Sequence, residues 1–320
     1  MEDKNMTFFE ELDRIMKQDM GGRGLLGSLP ANPIRETAAA LTNSARVLLL
    51  TGFPVKMEDG TFIGETDGPS GTANLAAAFT ASGASVLVVT DRSSFPLLAE
   101  ALRFRAPKAV LREIPDENTG VFVRECVSSF APTHFISLER PGKAHDGHYH
   151  NMRGEIIDSM VTDDSLFPAE AKRCGAVTIS VGDGGNEMGM GRYRREIEAN
   201  VPCGRQICTE DSADLALVSG VSNWWGWGIA ALLSLQTGNY LLPTESEETE
   251  LLRRVVLAGG VDGCTKERVQ TVDRLPLNVH LSVLHSVSDL LLKEMEHRGL
   301  TSIFCKTISS ESGLLQQAAH

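Results

Sequence analysis

The sequence predicts an α/β protein: an open, mostly parallel sheet with helices on both faces and an accessory helical layer. Three observations carry that reading. Short, continuous apolar runs recur at 47–50, 86–89, 109–111, 134–138, 177–181 and 215–218, and such runs are strands buried on both faces. Helix-length segments separate them, and strand-helix alternation puts parallel strands between two helical layers. The residues with the most unusual chemistry fall in loops that follow strands, where an open parallel sheet binds its ligands.

Taken in order, Phe8, Phe9, Leu12, Ile15 and Met16 recur at helical spacing. Residues 5–19 are therefore read as an amphipathic helix closed by Gly21 and Gly22, suited to docking or to a homo-oligomer contact. A Gly/Pro-broken entry leads to a short helix at 34–41. Further helices are expected at 69–82, 94–105, 118–130, 163–174 and 222–237 between and after the strands, then at 245–257 and 281–298. This divides one domain of 320 residues into N-terminal helices (1–45), a sheet core with its site loops (46–240) and a helical cap (241–320). No low-complexity linker or internal repeat interrupts it.

The 42 acidic residues against 30 basic ones leave a formal charge of −12. Such a surface repels phosphate polymers and anionic lipid, which argues against a nucleic-acid or membrane partner. A local group of Arg and Lys can still reverse the sign inside one cleft, so a small anionic substrate fits. No apolar run approaches the ~18 residues of a membrane span, and the N-terminus has the layout of neither a signal nor a transit peptide. The expected location is the cytoplasm, or the mitochondrial matrix if the sequence belongs to a longer eukaryotic precursor. The six cysteines lack a CxxC pair and read as buried reduced thiols. Cys203 and Cys208 are near enough to share a zinc ion, but no second Cys/His pair completes a site.

Four loops carry the candidate chemistry. Glu65-Thr66-Asp67-Gly68-Pro69-Ser70-Gly71-Thr72 enters a helix with proline in its first turn. Its unpaired amides, with the Ser70 and Thr72 hydroxyls, suit an anion, and plain capping by Asp67 is the competing reading. The loop 139–155 concentrates Arg140, Lys143, His145, Asp146, His148, Tyr149, His150, Asn151 and Arg153. Cations there can neutralise a carboxylate, and Asp146 or His148 can move protons near neutral pH. In Gly182-Asp183-Gly184-Gly185-Asn186-Glu187-Met188-Gly189-Met190-Gly191, glycines let the backbone approach a ligand, while Asp183, Asn186 and Glu187 offer hard oxygens. Finally, Ser222-Asn223-Trp224-Trp225-Gly226-Trp227-Gly228 holds all three tryptophans. They read equally as core and as the wall of a site, in which case tryptophan fluorescence reports on the ligand.

Together, TGFPV, ETDGPSGTANLA, ERPGKAHDGHYHNMRG, GDGGNEMGMG and SNWWGWG resemble the D-glutamate cyclase family over most of the chain. The resemblance implies conversion of D-glutamate to 5-oxo-D-proline with loss of water, a carbon-oxygen lyase reaction.

Residue roles for that reaction follow from its chemistry. The α-carboxylate is placed on the helix start formed by Asp67, Gly68, Ser70, Gly71 and Thr72, and the γ-carboxyl against Arg140, Lys143 or Arg153. Asp183 or Glu187 removes the ammonium proton, and Asp146 or His148 protonates the leaving oxygen. Asn186, Asn223 and Trp224 complete the pocket. No cofactor is required, because lactam closure is intramolecular, though the carboxylates leave room for a divalent metal. The alternatives are a metal-dependent hydrolase or lyase acting on a phosphorylated or nucleotide substrate, with Asp183 and Glu187 as metal ligands, and a non-catalytic sensor of an acidic metabolite.

Overall fold

The structure is a computed structural model that describes residues 6–22 and 24–300. The expected first residues of the N-terminal helix, the end of the cap beyond residue 300 and Cys305 lie outside the described residues.

The chain runs through α1 (Phe8–Met16), α2 (Ile34–Leu41), β1 (Arg46–Thr51), a small hairpin of β2 (Pro54–Lys56) and β3 (Phe62–Gly64), α3 (Pro69–Ala81), β4 (Ser85–Thr90) and α4 (Phe95–Arg105). It continues with β5 (Val110–Glu113), α5 (Thr119–Phe130), β6 (His134–Leu138), α6 (Phe167–Arg173), β7 (Val177–Gly182), α7 (Arg194–Asn200), α8 (Gly204–Ile207), β8 (Leu215–Val218) and α9 (Trp224–Thr237). The C-terminal layer is α10 (Glu245–Leu257), a second hairpin of β9 (Thr271–Val272) and β10 (Leu275–Pro276), and α11 (Leu277–His297).

The six apolar runs form one parallel sheet of six strands in the order β5-β4-β1-β6-β7-β8. The chain winds outward from β1 to β5, then crosses back and winds outward the other way from β6 to β8. The carboxyl ends of β1 and β6 therefore face each other across the reversal, where such sheets open a crevice for ligands. Alternate residues of β1 serve the two faces. Val47 and Leu49 pack with α1, α3, α4, α9 and α11 on one side, and Leu48 and Leu50 pack with α5 and α6 on the other.

α9 is buried along most of its length, as its apolar composition on every side requires. Its tryptophans settle the open choice in favour of core: each is at most 1% exposed, and their indole N–H groups donate to His280 Nδ1, the Val218 carbonyl and Glu248 Oε2. Trp224 is thus no pocket wall. α3 and α9 approach so closely that a Cβ on Gly226 would stand 2.7 Å from the Gly71 carbonyl oxygen. Backbone cannot retreat as a side chain can, so Gly226→Ala is expected to cost about 1–3 kcal/mol. A thermal melt checks this, and an unchanged Tm would mean that the helix pair can separate freely.

Four features escaped the sequence reading: the two hairpins and the short helices α7 and α8. Of the described cysteines, Cys126 and Cys208 are buried, whereas Cys174 and Cys203 are exposed, correcting the uniform reading of buried thiols. No helix among the described residues is long and apolar enough to cross a membrane.

Candidate active site

The loops after β1, β6, β7 and β8 meet at the reversal of the sheet. Asp67, from the first of them, accepts hydrogen bonds from the backbone N–H groups of Ser222 (3.0 Å) and Asn223 (2.8 Å) at the start of α9. Asn223 answers by accepting from the N–H groups of Gly68 (2.9 Å) and Gly71 (2.7 Å) at the start of α3. Each helix is therefore capped by a side chain from the other. Of the amides assigned to a substrate carboxylate, those of Gly68 and Gly71 are taken by Asn223, and Asp67 caps α9 and not the helix it precedes. Ser70 and Thr72 remain as buried hydroxyls with no hydrogen-bond partner.

Behind this double cap the carboxylates of Asp67, Glu139 and Asp183 converge, with one oxygen of each within 4.8 Å of the others. All three are buried. Burial, joined by the charges of Asp67, Glu187 and Glu65, pushes the Glu139 carboxyl well above the usual carboxylate range, with the Ser222 hydroxyl opposing the rise. Glu139 follows β6 directly in a left-handed conformation, φ 44°, on the order of 1 kcal/mol of strain for a side chain of this kind. This acidic group is also the one among the described residues arranged to hold a hard divalent cation, in place of the Cys203 and Cys208 pair, whose thiols contact the carbonyls of Arg153 and Thr209.

A cleft of about 690 Å³ opens above it. Glu65, Glu139, Asn186 and Glu187 line it, a largely acidic set termed its floor. Its walls come from the start of the β2–β3 hairpin (Phe53 to Lys56), the 151–160 segment and the loop between α10 and α11. Four cations stand around the acidic floor: Lys56, Arg153, Lys266 and Arg274. Glu187 keeps a structural task as well, since its oxygens accept the N–H groups of Asp183, Gly184 and Gly185 and so fold the glycine loop. Asn186 donates to the His150 carbonyl at 2.8 Å, which ties the floor to the neighbouring loop.

Several expected site residues lie elsewhere. Arg140 is fully buried: its guanidinium donates to Asp164, Asp91, the Gly52 carbonyl and the Thr162 carbonyl, which leaves it to join loops rather than clamp a substrate. Burial opposes its charge, but the carboxylates of Asp164 and Asp91 outweigh that and raise its pKa further above the usual arginine range. Lys143 pairs with Asp163 at 2.7 Å, outside the cleft lining. Asp146 and His148 also stand outside that lining: Asp146 bonds His150 at 2.9 Å, and His148 bonds Asp158 at 2.6 Å. These short-range pairs form because the 141–158 loop folds back on itself, which the sequence spacing alone does not reveal. Of the expected clamps, Arg153 lines the cleft.

The residues missed in the sequence are Glu65, Glu139, Lys56, Lys266 and Arg274. The two glutamates border loops that were singled out, and Glu139 directly follows an apolar run, a readable signal. The three cations sit in segments with no motif, and only the fold gathers them.

A family model described as D-glutamate cyclase-like, C-terminal, matches residues 12–288. The chain is also 31% identical over 258 residues to the mitochondrial D-glutamate cyclase of Homo sapiens, an alignment covering 77% of this chain and 41% of that protein. The chain thus spans about two fifths of the relative's length. With the family model matching from α1 into α11, across every loop that builds the cleft, the chain belongs to the D-glutamate cyclase-like family.

Proposed function

We propose that the chain closes D-glutamate to 5-oxo-D-proline and water. The observation that carries this reading is the buried acidic floor beneath a ring of cations. An amino acid with two carboxylates needs both: cations for its carboxylates and carboxylates for its ammonium.

Closing the ring moves two protons from the α-nitrogen to the departing γ-oxygen, which leaves as water. One group must begin without a proton and another must begin with one. Glu139, pushed up by burial and by neighbouring charges, is the group that begins protonated and gives its proton to the leaving oxygen. Glu65, a cleft carboxylate near enough for its charge to raise Glu139, takes the first ammonium proton. The amine then attacks the γ-carbon, the second nitrogen proton returns to Glu139, and Glu65 releases its own to the hydroxyl as it departs. Every proton is accounted for and both glutamates end as they began. Asp67 and Glu187 act through Glu139, as neighbours whose charges hold its proton on. Asp146 and His148, outside the lining, give up the proton-donor role to Glu139.

Arg153 receives one substrate carboxylate at the cleft wall. Arg153→Gln is expected to raise KM for D-glutamate about tenfold, the equivalent of ~1.4 kcal/mol, with a smaller change in kcat. Steady-state kinetics check this, and a pure kcat effect would remove Arg153 from substrate binding.

The convergence of Asp67, Glu139 and Asp183 favours one further reading, a divalent cation polarising the γ-carboxyl in the same floor. Incubation with D- and with L-glutamate, each with and without EDTA, followed by chiral chromatography for 5-oxoproline, tests both. Product from D-glutamate in all conditions supports the two-glutamate reaction, and loss in EDTA supports the cation. Binding of D-glutamate without product would make the protein a sensor and sink the cyclase.

A further inference from the structure

We propose that the loop between α10 and α11, residues 260–276, is a dicarboxylate clamp in which Lys266 and Arg274 each meet one carboxylate of the ligand, Arg153 sharing one of the two. This rests on the cleft being the substrate site, and adds the residues that recognise the substrate class.

The first observation is where the backbone is forced. Among the described residues seven non-glycine positions have left-handed φ angles, and four of them, Glu139, Lys266, Asp273 and Arg274, line this cleft. Such conformations persist only where the surroundings impose them, and they gather at ligand sites. Asp273 (φ 53°) and Arg274 (φ 66°) are the two residues between β9 and β10, whose register pairs Val272 with Leu275. A two-residue turn with both φ angles positive suits Asn or Asp followed by Gly. Arginine at the second position is a poor choice for the turn, yet it brings a cation to the cleft.

Lys266 repeats the pattern. Its φ is 63°, and its ammonium donates to the Lys56 carbonyl at 2.8 Å, against the opposite wall. Asp262, fully buried, holds the whole loop in this shape: it accepts from the N–H groups of Cys264, Thr265 and Arg274 and from the Thr271 hydroxyl. The anchoring at residue 274 is through the backbone, so its guanidinium stays available; no ion pair engages it among the described residues. Two cations on a braced loop, facing an acidic floor, match a short dicarboxylate carrying an ammonium group between its ends. A monocarboxylate would leave one cation unanswered.

Glutarate, a dicarboxylate that cannot cyclise, is the probe. It would be titrated calorimetrically into the wild-type chain and into Lys266→Gly, Arg274→Gly and Arg274→Asn, with butyrate as the monocarboxylate. Wild type should prefer glutarate at least tenfold over butyrate, and all three variants should bind glutarate at least tenfold more weakly. Their melting temperatures should equal or exceed that of wild type, because glycine and asparagine suit the left-handed backbone. A merely structural Arg274 would give the opposite pair of results. Ala131→Gly, at a left-handed helix end (φ 48°) away from the cleft, shows the gain from strain relief alone and should bind glutarate as wild type does. Unchanged affinity at either clamp position, no glutarate binding by wild type, or equal binding of butyrate overturns the clamp. Arg274-dependent glutarate binding without 5-oxoproline from D-glutamate would keep the clamp and discard the cyclase.

Discussion

Glu139→Gln is expected to lower D-glutamate turnover roughly 10²- to 10⁴-fold, the range for losing a positioned proton donor. The same change should make the fold more resistant to heat. Burial and the charges of Asp67, Glu187 and Glu65 raise the carboxyl of Glu139 in the folded chain above its ordinary range. A raised group contributes its full stability below the ordinary range and loses it as pH rises through the folded value. Glutamine does not titrate, so the advantage of the variant over wild type should widen with rising pH and vanish in acid. Wild-type activity that depends on a protonated Glu139 should fall along the same alkaline limb. Kinetics and urea melts across pH measure both quantities. A variant that keeps its turnover would remove Glu139 from the reaction, and one that is inactive but no more stable would mean that the acidic cluster is compensated in some other way.

Arg140→Ala should destabilise the fold by about 3–5 kcal/mol, because Asp91 and Asp164 would stay buried without their cation. The urea midpoint should drop accordingly. The triple variant Arg140→Met, Asp91→Asn, Asp164→Asn should recover much of the loss, since the penalty lies in the stranded charges and not in the missing bonds. If Arg140→Ala instead melts as wild type and only raises KM, the substrate-clamp role first assigned to Arg140 would be restored.

These two residues also mark how far the sequence could be read. Strands were legible where burial on both faces marks the residues, as in β1, β4, β6 and β7, while the edge strand β5 is largely exposed and corrects that reading; helices such as 34–41 and 245–257 emerge with the expected bounds. The strand order was not legible, since no local pattern says that β1 lies between β4 and β6. The four site loops were found because glycines and charges concentrate there. Roles inside them were harder to read. Arg140 and Asp146 have the side chains that substrate chemistry uses, but structural ion pairs use them too, and their partners Asp91, Asp164 and His150 are fixed by folding. Lys56, Lys266 and Arg274 come from distant, unremarkable segments and become a set only through the cleft.

The double cap has a consequence for how the chain is made. Asp67 and Asn223 are 156 residues apart in sequence. At the 5–20 residues per second of synthesis, Asp67 waits roughly 8–30 s for its partner to be made. The half-sheet β5-β4-β1 presents the open edge of β1 until β6 follows, and throughout the interval the start of α3 lacks its Asn223 acceptor. A nascent chain halted before residue 215 leaves the edge of β7 uncovered and should be a chaperone client, prone to edge-to-edge association, with its acidic floor made but its double cap still open.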